Sequence, residues 1–298
     1  MERKTAWNDY KKKELKKMNK LCDAYREFLD NGKTERECVT EIVRQAEEAG
    51  YRNLQACIEE NTPLHAGDKV YAVCMKKSVV LFQIGSKPLT DGMNILGAHI
   101  DSPRMDVKQN PLYEDTGFSY LDTHYYGGIK KYQWVTLPLA IHGVVAKKDG
   151  TVVDVVIGED EKDPVFCVTD LLVHLSGEQM EKKAAKVIEG EGLDLLVGSQ
   201  PLEGEEKEAV KAMTLKLLNE KYGIEEEDFL SAELEIVPAG KARETGLDSS
   251  MIMAYGQDDR VCAYTSLVAM LEVKNTKKTT CCLLVDKEEI GSVGATGM

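Results

Sequence analysis

Residues 281–292 read Cys-Cys-Leu-Leu-Val-Asp-Lys-Glu-Glu-Ile-Gly-Ser, a short apolar run followed directly by acidic residues. The run has the length and composition of a buried strand, and it predicts an α/β sheet with Glu288 and Glu289 at its rim. Open α/β sheets bind ligands at such a rim. Two adjacent carboxylates can act there as a metal ligand and a base for water. A turn with two hydrated acids is the alternative.

The composition indicates an acidic protein of about two domains. The chain has 298 residues and a formal net charge of −13, which argues against a nucleic-acid partner because such a partner needs a basic surface. No signal peptide and no apolar run of membrane-spanning length are present, so we expect no membrane partner and a cytoplasmic location. The eight cysteines show no Cys-x-x-Cys spacing and are expected to be small core residues in a reducing compartment.

The first hundred residues change from a helical to a strand-like period. Apolar side chains recur at three- and four-residue steps over 5–29, and Thr34 with Glu37 forms a capping box for a second helix that ends at Gly50. The predicted strands that follow are 70–75, 78–84 and 93–100, the first two as a hairpin.

The middle of the chain has a different pattern, which predicts a mainly β insert. Strands are expected at 135–146 and 151–158, helices at 170–188 and 207–222, a loop at 189–206, and a further strand at 232–237. The outer segments then form one α/β domain, with a helix at 261–273 and a strand at 279–285. The predicted division is 1–105, 106–245 and 246–298.

Two further clusters carry groups suited to metal chemistry. His99 and Asp101 lie two residues apart on an extended segment, so their side chains share one face, as in a metal ligand with a carboxylate that fixes its tautomer. The alternative is a structural pair. Asp258 and Asp259 precede Arg260 between a glycine turn and a helix, where a carboxylate can bridge two cations while Arg260 or the helix terminus steadies its neighbour.

An ordinary helix N-cap is the alternative for the Asp258–Asp259 pair. Taken with the Glu288–Glu289 pair, however, one His and one Asp match the oxygen-rich ligand set of a dinuclear hydrolase better than they match a thiolate zinc site.

At these motifs the chain resembles a known family. Gly-Ala-His-Ile-Asp-Ser-Pro at 97–103, Gln-Asp-Asp-Arg at 257–260 and Asp-Lys-Glu-Glu-Ile-Gly-Ser at 286–292 resemble, in this order, the aspartyl aminopeptidase family of dinuclear zinc metallopeptidases. Tyr-Gly-Gly at 126–128 with Trp134, and Leu-Leu-Val-His-Leu at 171–175, extend the resemblance along the chain. It implies a central-sheet catalytic domain interrupted by a β-rich dimerisation domain.

The resemblance also implies roles for individual residues. His99 would bind one metal, Asp258 would bridge both metals, and Glu289 would bind the other. Asp101 would orient His99 and would in this way be a supporting catalytic residue. Glu288 would be the general base that deprotonates a metal-held water.

A histidine of the insert has a separate implied role. His174 resembles the family's histidine that reaches a neighbouring subunit's active site and contacts substrate there. A buried or capping histidine in the 170–188 helix is the alternative. His65, His124 and His142 match no ligand position.

The function implied by the resemblance is removal of N-terminal, preferentially acidic, residues from peptides. The implied cofactors are two divalent metal ions, zinc first, with cobalt or manganese as alternatives. The implied assembly is a homo-oligomer in which dimers build a larger tetrahedral particle.

The family continues well beyond the Glu-Glu motif and supplies a further Asp and a final His ligand there, whereas this sequence ends at Met298. We therefore expect a truncated catalytic domain with an open sheet edge, weak metal retention and little peptidase activity. A catalytically inactive fragment or oligomerising protein is one alternative. A different dinuclear amidohydrolase is the other.

Overall fold

The computed structural model describes residues 4–297, which form two compact units. The first unit contains the described chain up to Asp101, Lys241–Asp286 and the residues from Gly294 onward. The second contains Ser102–Gly240 and Lys287–Val293. Met1–Arg3 and Met298, which belong to the predicted segments 1–105 and 246–298, lie outside the described residues.

Strands and helices alternate in the first unit, whereas strands dominate the second. The strands are β1 (Arg52–Asn53), β2 (Lys69–Cys74), β3 (Ser78–Gln83), β4 (Asn94–His99), β5 (Arg104–Asp115), β6 (Phe118–Tyr126), β7 (Leu139–Ala146), β8 (Val152–Ile157), β9 (Cys167–Val168), β10 (Leu195–Gly198), β11 (Ala232–Pro238), β12 (Arg243–Thr245), β13 (Met251–Met253) and β14 (Thr280–Val285). The α-helices are α1 (Lys12–Asn31), α2 (Glu35–Glu48), α3 (Leu54–Glu59), α4 (Lys131–Trp134), α5 (Gly177–Met180), α6 (Ala209–Tyr222) and α7 (Gln257–Glu272). None of the described helices is both long enough and apolar enough to cross a membrane.

The main sheet of the first unit has the strand order β1-β2-β3-β14-β4. The β2–β3 hairpin is antiparallel, as predicted, and β14 runs antiparallel to β3 but parallel to β4. Because β14 and β4 are parallel, their carboxyl ends meet at the same edge, with Val285 opposite His99. The predicted α/β class is confirmed, and β4 is one of the two edge strands of this sheet among the described residues, with Ile95 exposed.

Helix α2 shows how local sequence sets a boundary in this unit. The Thr34 hydroxyl accepts a hydrogen bond from the Glu37 backbone N–H at 3.2 Å, and the Glu37 carboxylate accepts one from the Thr34 N–H at 2.9 Å. This is the predicted capping box, and Cys38, Ile42 and Ala46 form the buried face as expected.

Helix α1 starts later than its periodicity suggested. It begins at Lys12, after a 3₁₀ turn at Ala6–Asn8 and a break, so the prediction of a continuous helix from residue 5 is wrong. Only its second half packs into the core, where Tyr25 and Phe28 lie 5.3 and 5.1 Å from the ring of Tyr264 on α7. Trp7 is exposed, so burial does not reinforce the helical pattern at this end.

The second unit is built on one sheet with the order β8-β7-β11-β5-β6-β10-β9, and all its pairings are antiparallel. The predicted strands correspond to β7, β8 and β11. The long β5–β6 hairpin was not predicted. The β5–β6 register shifts between Val107 and Leu112, and this irregularity around Pro111 breaks the alternation that would have revealed the strand.

Two predictions for residues 170–206 are wrong. In place of a helix over 170–188, the chain forms only the four-residue α5 and a 3₁₀ turn at Ala184–Lys186. The apolar side chains that suggested a helix, Leu171, Leu172, Val173 and Leu175, are all exposed, so no core stabilises a helix here. The predicted loop 189–206 contains β10, which pairs with β6 and β9.

The cysteines are divided between core and surface. Cys38, Cys57, Cys281 and Cys282 are buried, as expected, whereas Cys74, Cys167 and Cys262 are exposed, so the core prediction is wrong for those three. Burial raises the pKa of the Cys38 thiol to about 11, which keeps it neutral at physiological pH.

Candidate functional site

The parallel ends of β4 and β14 place polar residues at one edge of the first unit. β4 ends at His99, with Asp101 two residues later, and β14 ends at Val285, directly before Asp286. The two strands are parallel neighbours, so the residues that follow them lie at the same edge of the sheet, where open α/β sheets bind ligands.

His99 is held in one orientation by Asp101. Its Nδ1 lies 3.0 Å from the backbone oxygen of Asp101 and 3.3 Å from the Oδ1 of the same residue, and both histidine and aspartate are buried. A carbonyl oxygen can only accept, so Nδ1 is the proton-bearing nitrogen in this contact, and Nε2 is the nitrogen that would bind a metal ion. The structure therefore places Asp101 against the His99 ring, and its role in fixing the tautomer of a metal ligand stays a prediction.

Asp258 lies on the Nε2 side of the imidazole. Its Oδ1 lies 3.4 Å from His99 Nε2, and its side chain is 84% exposed. The residue stands in the first turn of α7 with non-helical dihedral angles, after Gly256 at the N-cap and next to a cis Asp258–Asp259 peptide bond. The ordinary N-cap stays the alternative to a ligand role for Asp258.

The pair His99 and Asp258 fits a divalent metal ion. Zinc in a tetrahedral site lies about 2.0–2.2 Å from nitrogen and oxygen ligands, so two such ligands are about 3.3–3.6 Å apart. The observed 3.4 Å lies in this range, and each residue offers a ligand atom of the right type. The neighbouring Cys262 is a poorer ligand, because its hydrogen bond to Asp259 raises the pKa of its thiol.

Glu288 and Glu289 lie in a 3₁₀ turn, Glu288–Ile290, three residues beyond the end of β14. Glu288 is exposed and Glu289 is half-buried, so the two adjacent acids occupy different environments. In the second unit, Glu289 lies close to Gly127. A Cβ atom added to Gly127 would lie 3.1 Å from both the Cβ and the Oε2 of Glu289.

Asp286 is a candidate supporting residue that sequence reasoning missed. It is fully buried; the Thr296 hydroxyl donates to its Oδ2 at 2.8 Å, and its own N–H donates to the Thr296 carbonyl at 3.2 Å. These bonds close the base of the loop that carries the two glutamates. The sequence feature that could have identified Asp286 is its position directly after an apolar strand.

The other histidines of the chain lie in different environments. His174 is exposed in the irregular segment between β9 and α5, so its alternative as a buried or capping residue of a long helix is wrong. His142 is buried and lies 3.2 Å from the Glu159 carboxylate, and His124 stacks on Tyr125. Neither is placed as a metal ligand. The role of His174 in a neighbouring subunit's site stays a prediction.

Comparisons with known proteins show the family of this chain. The family model described as aminopeptidase I zinc metalloprotease (M18) matches residues 28–298. The chain belongs to the M18 peptidase family. It is also 64% identical, over its whole length, to a protein of Clostridium acetobutylicum named a probable M18 family aminopeptidase 1.

Solved structures of M18 proteins share the fold. An M18 aminopeptidase from Thermotoga maritima matches all of this chain with a TM-score of 0.92 and 49% identity, over 64% of its own length. The mApe1 dodecamer of Saccharomyces cerevisiae is 18% identical over 92% of this chain and 62% of its own, with a TM-score of 0.70, which shows the fold alone. The chain spans 64% of the Clostridium relative.

Proposed function

We propose that this M18 protein is a zinc-dependent aminopeptidase that removes N-terminal residues, preferentially acidic ones, from peptides. The observation that carries the proposal is the His99–Asp258 pair, held 3.4 Å apart at the rim of the sheet with the histidine oriented by Asp101. Family membership supports the zinc and the reaction class. The acidic preference rests on the family resemblance.

The proposed site would hold two divalent ions. By the family resemblance, His99 would be a ligand of one ion through Nε2, Asp258 would be a ligand of both, and Glu289 would be a ligand of the other. When bound, zinc supplies Lewis acidity that polarises the scissile carbonyl and lowers the pKa of water. Asp101 keeps the imidazole in the tautomer whose Nε2 faces Asp258.

Glu288 is proposed as the general base. Its exposed carboxylate accepts the proton of the attacking water and can return it to the leaving amine. Glu288 and Glu289 are adjacent in one short 3₁₀ turn, and the proposal assigns a different role to each. Glu288 therefore acts in turnover, whereas Glu289 acts in metal binding.

We propose a homo-oligomer as the working state, with dimers as building blocks. The dodecameric M18-fold structure and the family resemblance support this assembly. The exposed apolar segment around His174 is a suitable contact for a second copy, since it carries Leu171, Leu172 and Val173 at the surface. A cytoplasmic location stays a prediction.

The test is a peptidase assay on peptides with N-terminal Asp, Glu, Ala or Leu, with zinc, manganese or cobalt added. We expect turnover that needs metal and is fastest on the acidic peptides. Hydrolysis of other amides but of none of the peptides would indicate a different amidohydrolase, and oligomers without turnover would indicate a non-catalytic protein.

A further inference from the structure

Arg260, in the first turn of α7, is a buried cation close to the candidate metal centre. It is 1% exposed and is among the largest fully buried side chains of the described residues. A buried guanidinium is costly unless hydrogen bonds compensate for its lost hydration. Its placement therefore calls for a specific set of acceptors.

Those acceptors are backbone oxygens from two other segments. Nε donates to the Ile100 carbonyl at 3.0 Å, and Nη2 donates to the Lys33 carbonyl at 3.0 Å. Ile100 lies between His99 and Asp101, and Lys33 lies in the α1–α2 connection. The guanidinium thus joins the start of α7 to the end of β4 and to the helical layer.

Gly256 makes room for this arrangement. A Cβ atom there would lie 2.0 Å from Nη1 and 2.8 Å from Cζ of Arg260, a steric clash in both cases. The residue also has a φ of 77°, which favours glycine. Gly256 is therefore needed twice: for the backbone turn before Asp258 and for the space that the Arg260 guanidinium occupies.

We propose that Arg260 is a positioning residue that sets the separation of His99 and Asp258. Asp258 precedes Arg260 by two residues, and Ile100 follows His99 by one, so short stretches of backbone connect its hydrogen bonds to both ligand atoms. The fixed geometry of a guanidinium can direct two N–H groups at two carbonyls at once, whereas a lysine ammonium lacks this planar fork. The inference rests on the proposed metal site.

The test compares two ends of α7 in the full-length protein. Arg260→Lys keeps the charge but loses the fork at the start of the helix. Tyr51→Phe is the matched control, because the Tyr51 hydroxyl donates to the Met270 carbonyl at 3.1 Å near the other end of the same helix. Zinc affinity is measured by chelator competition, the ligand geometry by the visible spectrum of the cobalt form, and stability by thermal unfolding in EDTA.

We expect Arg260→Lys to weaken zinc binding by about 10- to 100-fold, as for other residues that orient metal ligands, and to alter the cobalt spectrum. Tyr51→Phe should leave both unchanged, although it lowers the metal-free unfolding temperature. Wild-type zinc affinity and cobalt spectrum in Arg260→Lys would overturn the proposal.

A second variant tests the same point without removing the arginine. Gly256→Ala adds a methyl group against the guanidinium, and Gly50→Ala is its control, since Gly50 has a φ of 85° but open space around it. Only Gly256→Ala should weaken zinc binding; equal effects would contradict the proposal. If His99→Ala and Asp258→Asn both keep wild-type zinc affinity, the metal site itself is wrong, which is a distinct result.

Discussion

The His99–Asp258 pair and the Glu288–Glu289 turn are supported in different ways. His99 is buried and fixed by Asp101, and the turn with Asp258 is connected to Arg260, whose guanidinium bonds to the core. The two glutamates lie on a 3₁₀ turn in a loop that Asp286 and Thr296 close at its base. Rigid support suits a ligand that must keep its position, whereas a more exposed turn suits a base that meets water and substrate. Substitutions that affect the His99–Asp258 pair should therefore change zinc affinity, whereas substitution of Glu288 should change turnover.

The largest expected effect is on turnover. Glu288→Gln should reduce kcat by about 10³-fold, because the amide cannot accept the proton of the attacking water. Zinc affinity should stay at the wild-type value, since Glu288 is not proposed as a ligand. Glu203→Gln, at another exposed glutamate, is the control and should change neither quantity. Near-normal turnover in Glu288→Gln would remove Glu288 from the role of base.

The next effect is on metal binding at the rigid pair. Asp101→Asn should lower zinc affinity by about 10- to 100-fold, because the carboxylate no longer helps to fix the His99 tautomer. Chelator competition measures this change. Asp106→Asn, which removes an aspartate that pairs with Arg104 in the second unit, serves as control. Equal zinc affinities in the two variants would mean that Asp101 does not support the ligand.

A smaller effect is expected at the base of the glutamate loop. Thr296→Val removes the hydroxyl that donates to the buried Asp286 carboxylate and should lower the free energy of unfolding by about 1–3 kcal/mol. Thr296→Ser keeps the donor and should restore most of that stability in urea unfolding. The role of this hydrogen bond would be refuted if valine and serine had the same effect.

The smallest effect concerns the glycine next to Glu289. Gly127→Ala should lower stability by about 1 kcal/mol because of its φ of 70°, and should weaken zinc binding several-fold through contact with the Glu289 side chain. Gly117→Ala has a similar φ in open space and should lower stability alone, and Gly128→Ala should change little. Reduced zinc affinity in Gly117→Ala would show that strain, and not the contact, is responsible.

Much of the first unit could be predicted because its signals are local. The capping box at Thr34 and the hairpin over β2 and β3 depend on residues within a few positions of each other. The apolar run of β14 is short and continuous, as expected of a strand covered on both sides. The residues of the candidate site came from short motifs, and the structure places His99, Asp101 and Asp258 together as those motifs indicated.

The rest depends on contacts distant in sequence. The β5–β6 hairpin has an irregular register that hides its alternation, and residues 171–175 are apolar but exposed, so periodicity pointed to a helix that no core supports. The bonds of Arg260 reach Ile100, which is 160 residues away, and Asp286 depends on Thr296. No local pattern in one sequence identifies such partners.

The central claim is that His99 and Asp258 are ligands of one metal ion. The most direct measurement is an anomalous difference map at the zinc absorption edge, from crystals of the full-length protein grown with zinc. We predict a peak about 2.0–2.2 Å from both His99 Nε2 and a carboxylate oxygen of Asp258. Zinc bound elsewhere in the protein, with no peak between these two residues, would contradict the account.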